Sequence, residues 1–274
     1  MAQPSSSSAW CSEALTLSLT LIVLAGCSVD VRGVTRAQRG ATPLRWYERA
    51  ITLYVHEPPA GVGFSSLELA AAARSAAATW TQRCAIDVVV RTTSAEPKSA
   101  RDGVNSLIVR ARSWCPDGVS AKSDCHDERL HALTRLYKSP PPVGSTEARI
   151  AEADIEINAV GSRWNLGRDD ARGTGKKNLE ATLVHEMGHV LGLEHPDSRV
   201  GRASTLRDVM QPDPQAPGQP LRFEPSGGEV ASVCAIYGTR GVLHAVHFVV
   251  GGAVAVLGLM IALVRAHLLR RKSS

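Results

Sequence analysis

His185-Glu186-Met187-Gly188-His189-Val190-Leu191-Gly192-Leu193-Glu194-His195 is the stretch on which the reading of this chain turns. It closes a strong helix pattern that opens at Asn178. Asn178 suits an N-cap, Glu180 suits the positive end of the helix dipole, and Leu183, Met187, Val190 and Leu191 share one face. On that helix His185 and His189 stand one turn apart on the same side, where one ion can take both imidazoles. Gly192 can adopt the left-handed conformation that ends the helix and turns the chain back, which returns His195 towards the same ion. Three protein ligands leave one tetrahedral position for water, the arrangement of a catalytic zinc site rather than a closed structural one. Glu186 follows the first ligand without being one, and can take a proton from that water as general base. A helix whose histidines are merely surface polar would not require Gly192 and His195 in register.

Outward from this motif, the rest of the middle of the chain reads as short, ordinary elements. Strands are expected over 51–55, 85–90, 107–111, 130–137 and 150–157, and helices over 66–81, 178–191 and 228–237. The Gly-rich, charged segment 163–177 and the Pro/Gly-rich segment 196–225 read as loops. His56, His126, His131 and His244 read as ordinary surface or interface residues. Four cysteines lie in this region, and counting alone cannot separate their three possible pairings. The Pro/Gly-containing segment between Cys115 and Cys125 reads as a small stapled loop. That leaves Cys84 with Cys234, a bridge that would tie the two ends of the domain together.

The spacing HExxHxxGxxH followed by a methionine turn is the metzincin signature. Within Asp208-Val209-Met210-Gln211-Pro212, Met210 falls fifteen residues after His195, where that turn belongs. The chain resembles the matrixin branch, the matrix metalloproteinases and their bacterial relatives, across most of residues 43–238. Arg45-Trp46 with 51–55 looks like the matrixin first strand, the helix ending at Trp80 like its first long helix, and 153–158 like the strand before the catalytic helix. The resemblance implies an α+β, zincin-like fold: a twisted, mixed five-stranded sheet, two long helices behind it, and a small C-terminal subdomain carrying the Met-turn. It implies that 130–137 is the antiparallel edge strand over the cleft, and that Met210 is an apolar floor under the three histidines. There are departures. No cysteine-switch motif is present, Pro196 follows the third histidine, and structural Ca2+ cannot be assigned because no Asp/Gly-rich loop matches.

Of 274 residues, 44% are hydrophobic and 21% charged, with a formal net charge of +5, which fits one globular domain with appendages. No basic helix with interleaved aromatics and no nucleic-acid motif is present, so nucleic acid is not an expected partner. Residues 1–27 read as an export signal with a lipobox-like end, Leu24-Ala25-Gly26-Cys27, which makes Cys27 a lipidation candidate. Residues 28–42 read as a linker and 43–240 as the metallopeptidase domain. Residues 242–264 carry no Lys, Arg, Asp or Glu. At about 1.5 Å per residue they are long enough to span a bilayer. The basic tail 265–274 would then stay in the cytoplasm.

The expected activity is a membrane-anchored, zinc-dependent metalloendopeptidase acting on periplasmic or extracellular polypeptides, with one catalytic Zn2+. The rival from another class is a zinc-binding, non-proteolytic surface or adhesion module; Glu186 argues against it, because a binding module has no use for a general base. The topology has its own test. Protease added to intact spheroplasts should digest the domain and spare a tag placed after Ser274; the reverse pattern would invert the orientation.

Overall fold

The computed structural model describes residues 44–119, 121–140, 149–168, 174–196, 208–213, 215 and 220–240. Five strands form one sheet: β1 (Ala50–His56), β2 (Asp87–Thr93), β3 (Asn105–Arg110), β4 (Ala132–Ser139) and β5 (Arg149–Asn158). Their order across the sheet is β2-β1-β3-β5-β4. The first four in that order run parallel, and β4 pairs antiparallel with β5 at the edge. Among the described residues there are three α-helices, α1 (Ser66–Thr81), α2 (Leu179–Val190) and α3 (Gly227–Tyr237). The architecture is therefore α+β with a mixed five-stranded sheet, at that level as the sequence implies.

Helix α1 starts at a capping box in which Ser65 and Glu68 satisfy each other's backbone N–H groups. Its buried face is mostly small: Ala70, Ala73, Ala76 and Ala77, with Leu69 at one end and Trp80 at the other. Small side chains let α2 lie close, and the Trp80 indole N–H donates to the Val184 carbonyl of α2 at 2.8 Å. Helix α2 is capped by Asn178, whose side chain accepts from the Ala181 N–H at 2.9 Å, as its sequence predicts. Leu183, Met187, Val190 and Leu191 are fully buried.

Strand β5 has two different faces. Ala153, Ile155 and Ile157 belong to the hydrophobic core, whereas Glu152, Asp154 and Glu156 alternate with them and are also buried. Buried carboxylates are costly unless paired or hydrogen-bonded. Glu156 meets Arg110 Nε and Ser99 Oγ, each at 2.7 Å. Glu152 accepts from the Asp102 and Gly103 N–H groups. Asp154 accepts from the Ser106 N–H through Oδ1, while Oδ2 has no hydrogen-bond partner among the described residues. Burial pushes the Asp154 carboxyl up to about 8, so it keeps its proton at neutral pH. These bonds draw the segment that leads into β3 onto the sheet.

Both disulfides are present as expected, Cys84–Cys234 and Cys115–Cys125. Several details depart from the sequence reading. Strand β4 starts at Ala132, because Leu130 N–H closes a turn onto Asp127 O. Strand β2 starts at Asp87, because Cys84 bridges to Thr239 and the Ala85 N–H donates to Gly238 O. The expected loop 163–177 contains two short parallel strands, β6 (Arg163–Asn165) and β7 (Lys176–Asn178). His56 is not a surface residue: it is buried at the end of β1. Its Nδ1 donates to Ala95 O at 3.0 Å, and its Nε2 lies 3.1 Å from Ser106 Oγ. Among the described residues no helix is long and apolar enough to cross a membrane. Segments 1–27, 28–42, 242–264 and 265–274, with Cys27 and His244, lie outside the described residues.

The Cys84–Cys234 bridge spans 150 residues of sequence. Replacing both cysteines by serine should lower unfolding free energy by about 2–5 kcal/mol. Urea unfolding with Cys115–Cys125 intact measures it, and an unchanged midpoint would show that the staple contributes nothing.

Candidate metal centre

The turn after α2 decides where the third histidine goes. Gly192 has φ +89°, and a Cβ there would overlap the Leu44 carbonyl oxygen. The glycine is thus required twice, by backbone conformation and by the strand-like segment Leu44–Trp46 that crosses above it. That segment also donates the Trp46 indole N–H to Val190 O at 2.8 Å, and Tyr237 of α3 donates its hydroxyl to Leu191 O at 3.0 Å. The last carbonyls of α2 are therefore satisfied from two other parts of the fold.

With the chain turned, the three histidines converge. His195 Nε2 lies 3.1 Å from His185 Nε2 and 3.2 Å from His189 Nε2. One ligand atom from each falls within 4.8 Å of the others, the one such group among the described residues. The tautomers follow from the outer contacts. His185 Nδ1 faces Val209 O at 2.7 Å, and His189 Nδ1 faces Leu193 O at 2.8 Å. A carbonyl can only accept, so both Nδ1 atoms carry the proton and both Nε2 atoms present lone pairs. His195 Nε2 faces both lone pairs, and one N–H cannot satisfy the two. A cation at the centre satisfies all three. Nitrogen atoms about 3.4 Å apart are what ligands at about 2.0–2.1 Å around a tetrahedral ion require. Three imidazoles without a carboxylate fit a borderline transition metal better than calcium or magnesium.

The apolar surroundings act on charge. Burial pushes His185 and His189 down to about 4. Burial likewise lowers His195 and raises Glu186, the latter opposed by His189 and by a hydrogen bond from Thr134. The imidazoles are thereby kept neutral, the state in which they ligate metals.

Met210 is buried, and its thioether lies against Gly188, between the two ligands of α2; a Cβ on Gly188 would overlap Met210 Sδ. The segment is fixed from behind by Glu229, which accepts from the Val209 N–H at 3.3 Å and the Met210 N–H at 2.9 Å. Glu229 is also the third residue of α3 and closes a capping box with Ser226. One carboxylate therefore starts α3 and holds the peptide whose carbonyl orients His185. The pattern Ser226-x-x-Glu229 was available in the sequence as a helix start, but not its second duty. Thr134 carried no signal at all: it lies on β4, and its hydroxyl donates to Glu186 Oε2 at 2.7 Å.

The histidines and Glu186 stand in a cleft of about 980 Å³, with β4 residues Ala132, Thr134 and Leu136 along one wall. Leu44, Leu193, Pro212 and Gln215 close other sides. His131 lines the same cleft, so it is more than a plain surface residue, and its Nδ1 lies 3.0 Å from Ser162 Oγ. His126 packs edge-on against Trp114, near Glu156, away from the cleft. No protein-family model matches the chain, and no curated protein matches it.

The lowered histidines make the metal-free fold acid-sensitive. Unfolded, His185 and His189 take up protons near their ordinary value of about 6.5, whereas the fold resists until about 4. Between these limits the unfolded chain binds more protons, so stability should fall as pH drops through that window. Urea midpoints with chelator present should decline more steeply for wild type than for a His185→Gln, His189→Gln variant. Parallel declines would clear these residues of the effect.

Proposed function

We propose that this chain is a zinc-dependent metalloendopeptidase of the metzincin type, closest in pattern to the bacterial matrixins. The observation that carries the reading is the meeting of three imidazole lone pairs beside the buried carboxylate of Glu186 in an open cleft. His185, His189 and His195 would hold one zinc ion. When bound, that ion supplies Lewis acidity to a scissile carbonyl and lowers the pKa of water.

The remaining work belongs to the chain. Glu186 takes a proton from the attacking water and delivers it to the departing amide nitrogen. Burial raises its pKa, which favours holding the proton between the two transfers. Among the described residues β4 is an edge strand with a neighbour on one side only. An extended polypeptide can add to that edge as a further strand, which holds its backbone along the cleft. The substrate class is therefore polypeptide in extended form. Two disulfides favour a place of work outside the cytoplasm, where such bonds persist, and agree with the membrane-anchored, exported topology expected from residues 1–27 and 242–264.

Glu186→Gln should retain about one zinc per chain and lose peptide hydrolysis by roughly 10²–10⁴-fold. A chelator should abolish wild-type cleavage of an unfolded protein substrate, and added zinc should restore it. Wild-type rates in the glutamine variant would remove Glu186 as the base, and chelator-resistant cleavage would remove the metal from the reaction.

A further inference from the structure

We propose that Thr134, on the edge strand, is a positioning residue that aims the Glu186 carboxylate. This rests on the endopeptidase reading and adds a part to it. Thr134 Oγ1 lies 2.7 Å from Glu186 Oε2 and 3.2 Å from the Glu186 carbonyl. The hydroxyl has one hydrogen, and the shorter contact, to the side-chain oxygen, is the stronger one. Glu186 itself is only 4% exposed, so water does little to fix its rotation. Holding Oε2 sets the direction of Oε1, the oxygen left to meet a proton.

The place of Thr134 gives this bond its meaning. Its backbone pairs with Ile155 on the inner side of β4, and its neighbours Ala132 and Leu136 line the cleft. The strand that would take the peptide therefore also holds the base. A peptide seated along β4 and a carboxylate aimed from β4 share one rigid frame, so the distance between scissile bond and base is set within a single element. Small errors in such alignment are expensive: a displacement of about 1 Å can cost on the order of 100-fold in rate.

The test compares Thr134→Val, Thr134→Ser and Thr134→Ala in the zinc-loaded full chain on one peptide substrate. Valine keeps the branched shape that suits a strand and removes the hydroxyl. Thr134→Val should lower kcat by about 10- to 100-fold with KM nearly unchanged and zinc content equal to wild type. Thr134→Ser should recover most of the loss, and Thr134→Ala, which serves if the valine side chain does not fit, should match Thr134→Val. In a Glu186→Ala background, Thr134→Val should cost nothing further. A metal-free readout runs beside these: urea midpoints of the Thr134→Val, Glu186→Ala and double variants should be non-additive. Wild-type kcat in Thr134→Val, failure of serine to rescue, or additive midpoints would overturn the role and leave the protease reading standing. A wild-type chain that cleaves no peptide would overturn that reading, and this role with it.

Discussion

Gly192 is the constraint on which the rest hangs. Its left-handed backbone ends α2 and sends the chain back so that His195 reaches His185 and His189. The Leu44 carbonyl sits where any side chain would stand. That contact fixes the segment leading into β1 against the end of α2. The Ile150 N–H donates to Arg45 O, which ties the same segment to β5. Strand β1, strand β5 and helix α2 are thus held to one another around a residue with no side chain. Any larger residue would strain the turn and push the sheet away from the helix at once.

The histidines themselves are supported in layers. The carbonyls of Val209 and Leu193 fix the ring tautomers, and Glu229 fixes the peptide that contains Val209. Partners of this kind orient ligands and sharpen affinity without touching the ion. Burial raises the Glu229 carboxyl, and the Met210 and Ser226 N–H groups offset part of that cost. The opposite side of the sheet uses the same economy. Glu152 and Glu156 take backbone N–H groups, a serine and arginines, and so turn a polar strand face into an anchor for long loops.

How much of this was legible in the sequence varies with the range of the interaction. Helix α2 could be read throughout, since its cap, apolar stripe and terminal glycine are all local features. The ligand triad could be read because two members share a helix and the third follows a single turn. The disulfide across the loop 115–125 is local as well. Strand limits were less legible: β2 begins late because its approach pairs with residues near Thr239, far off in sequence. The burial of His56 depends on Ser106 and Ala95, supplied by two other segments. Thr134 was invisible for the same reason, being 52 residues from the carboxylate it holds. Periodicity reports which face of an element is apolar, and is silent on which polar side chain meets which.

The bridge between Cys84 and Cys234 gives the domain a covalent outline as well as a staple. Thr134, His185, Glu186, His189, His195 and Met210 all lie between the two cysteines, so the histidines, the carboxylate and its hydroxyl partner sit inside one closed ring of chain, with Leu44 of the cleft wall outside it. A single cut anywhere in that ring, by whatever protease, opens the ring without parting its pieces. Both new ends remain attached through the bridge, and the nicked molecule keeps its mass until it is reduced. Damage to the backbone is thereby separated from loss of the molecule.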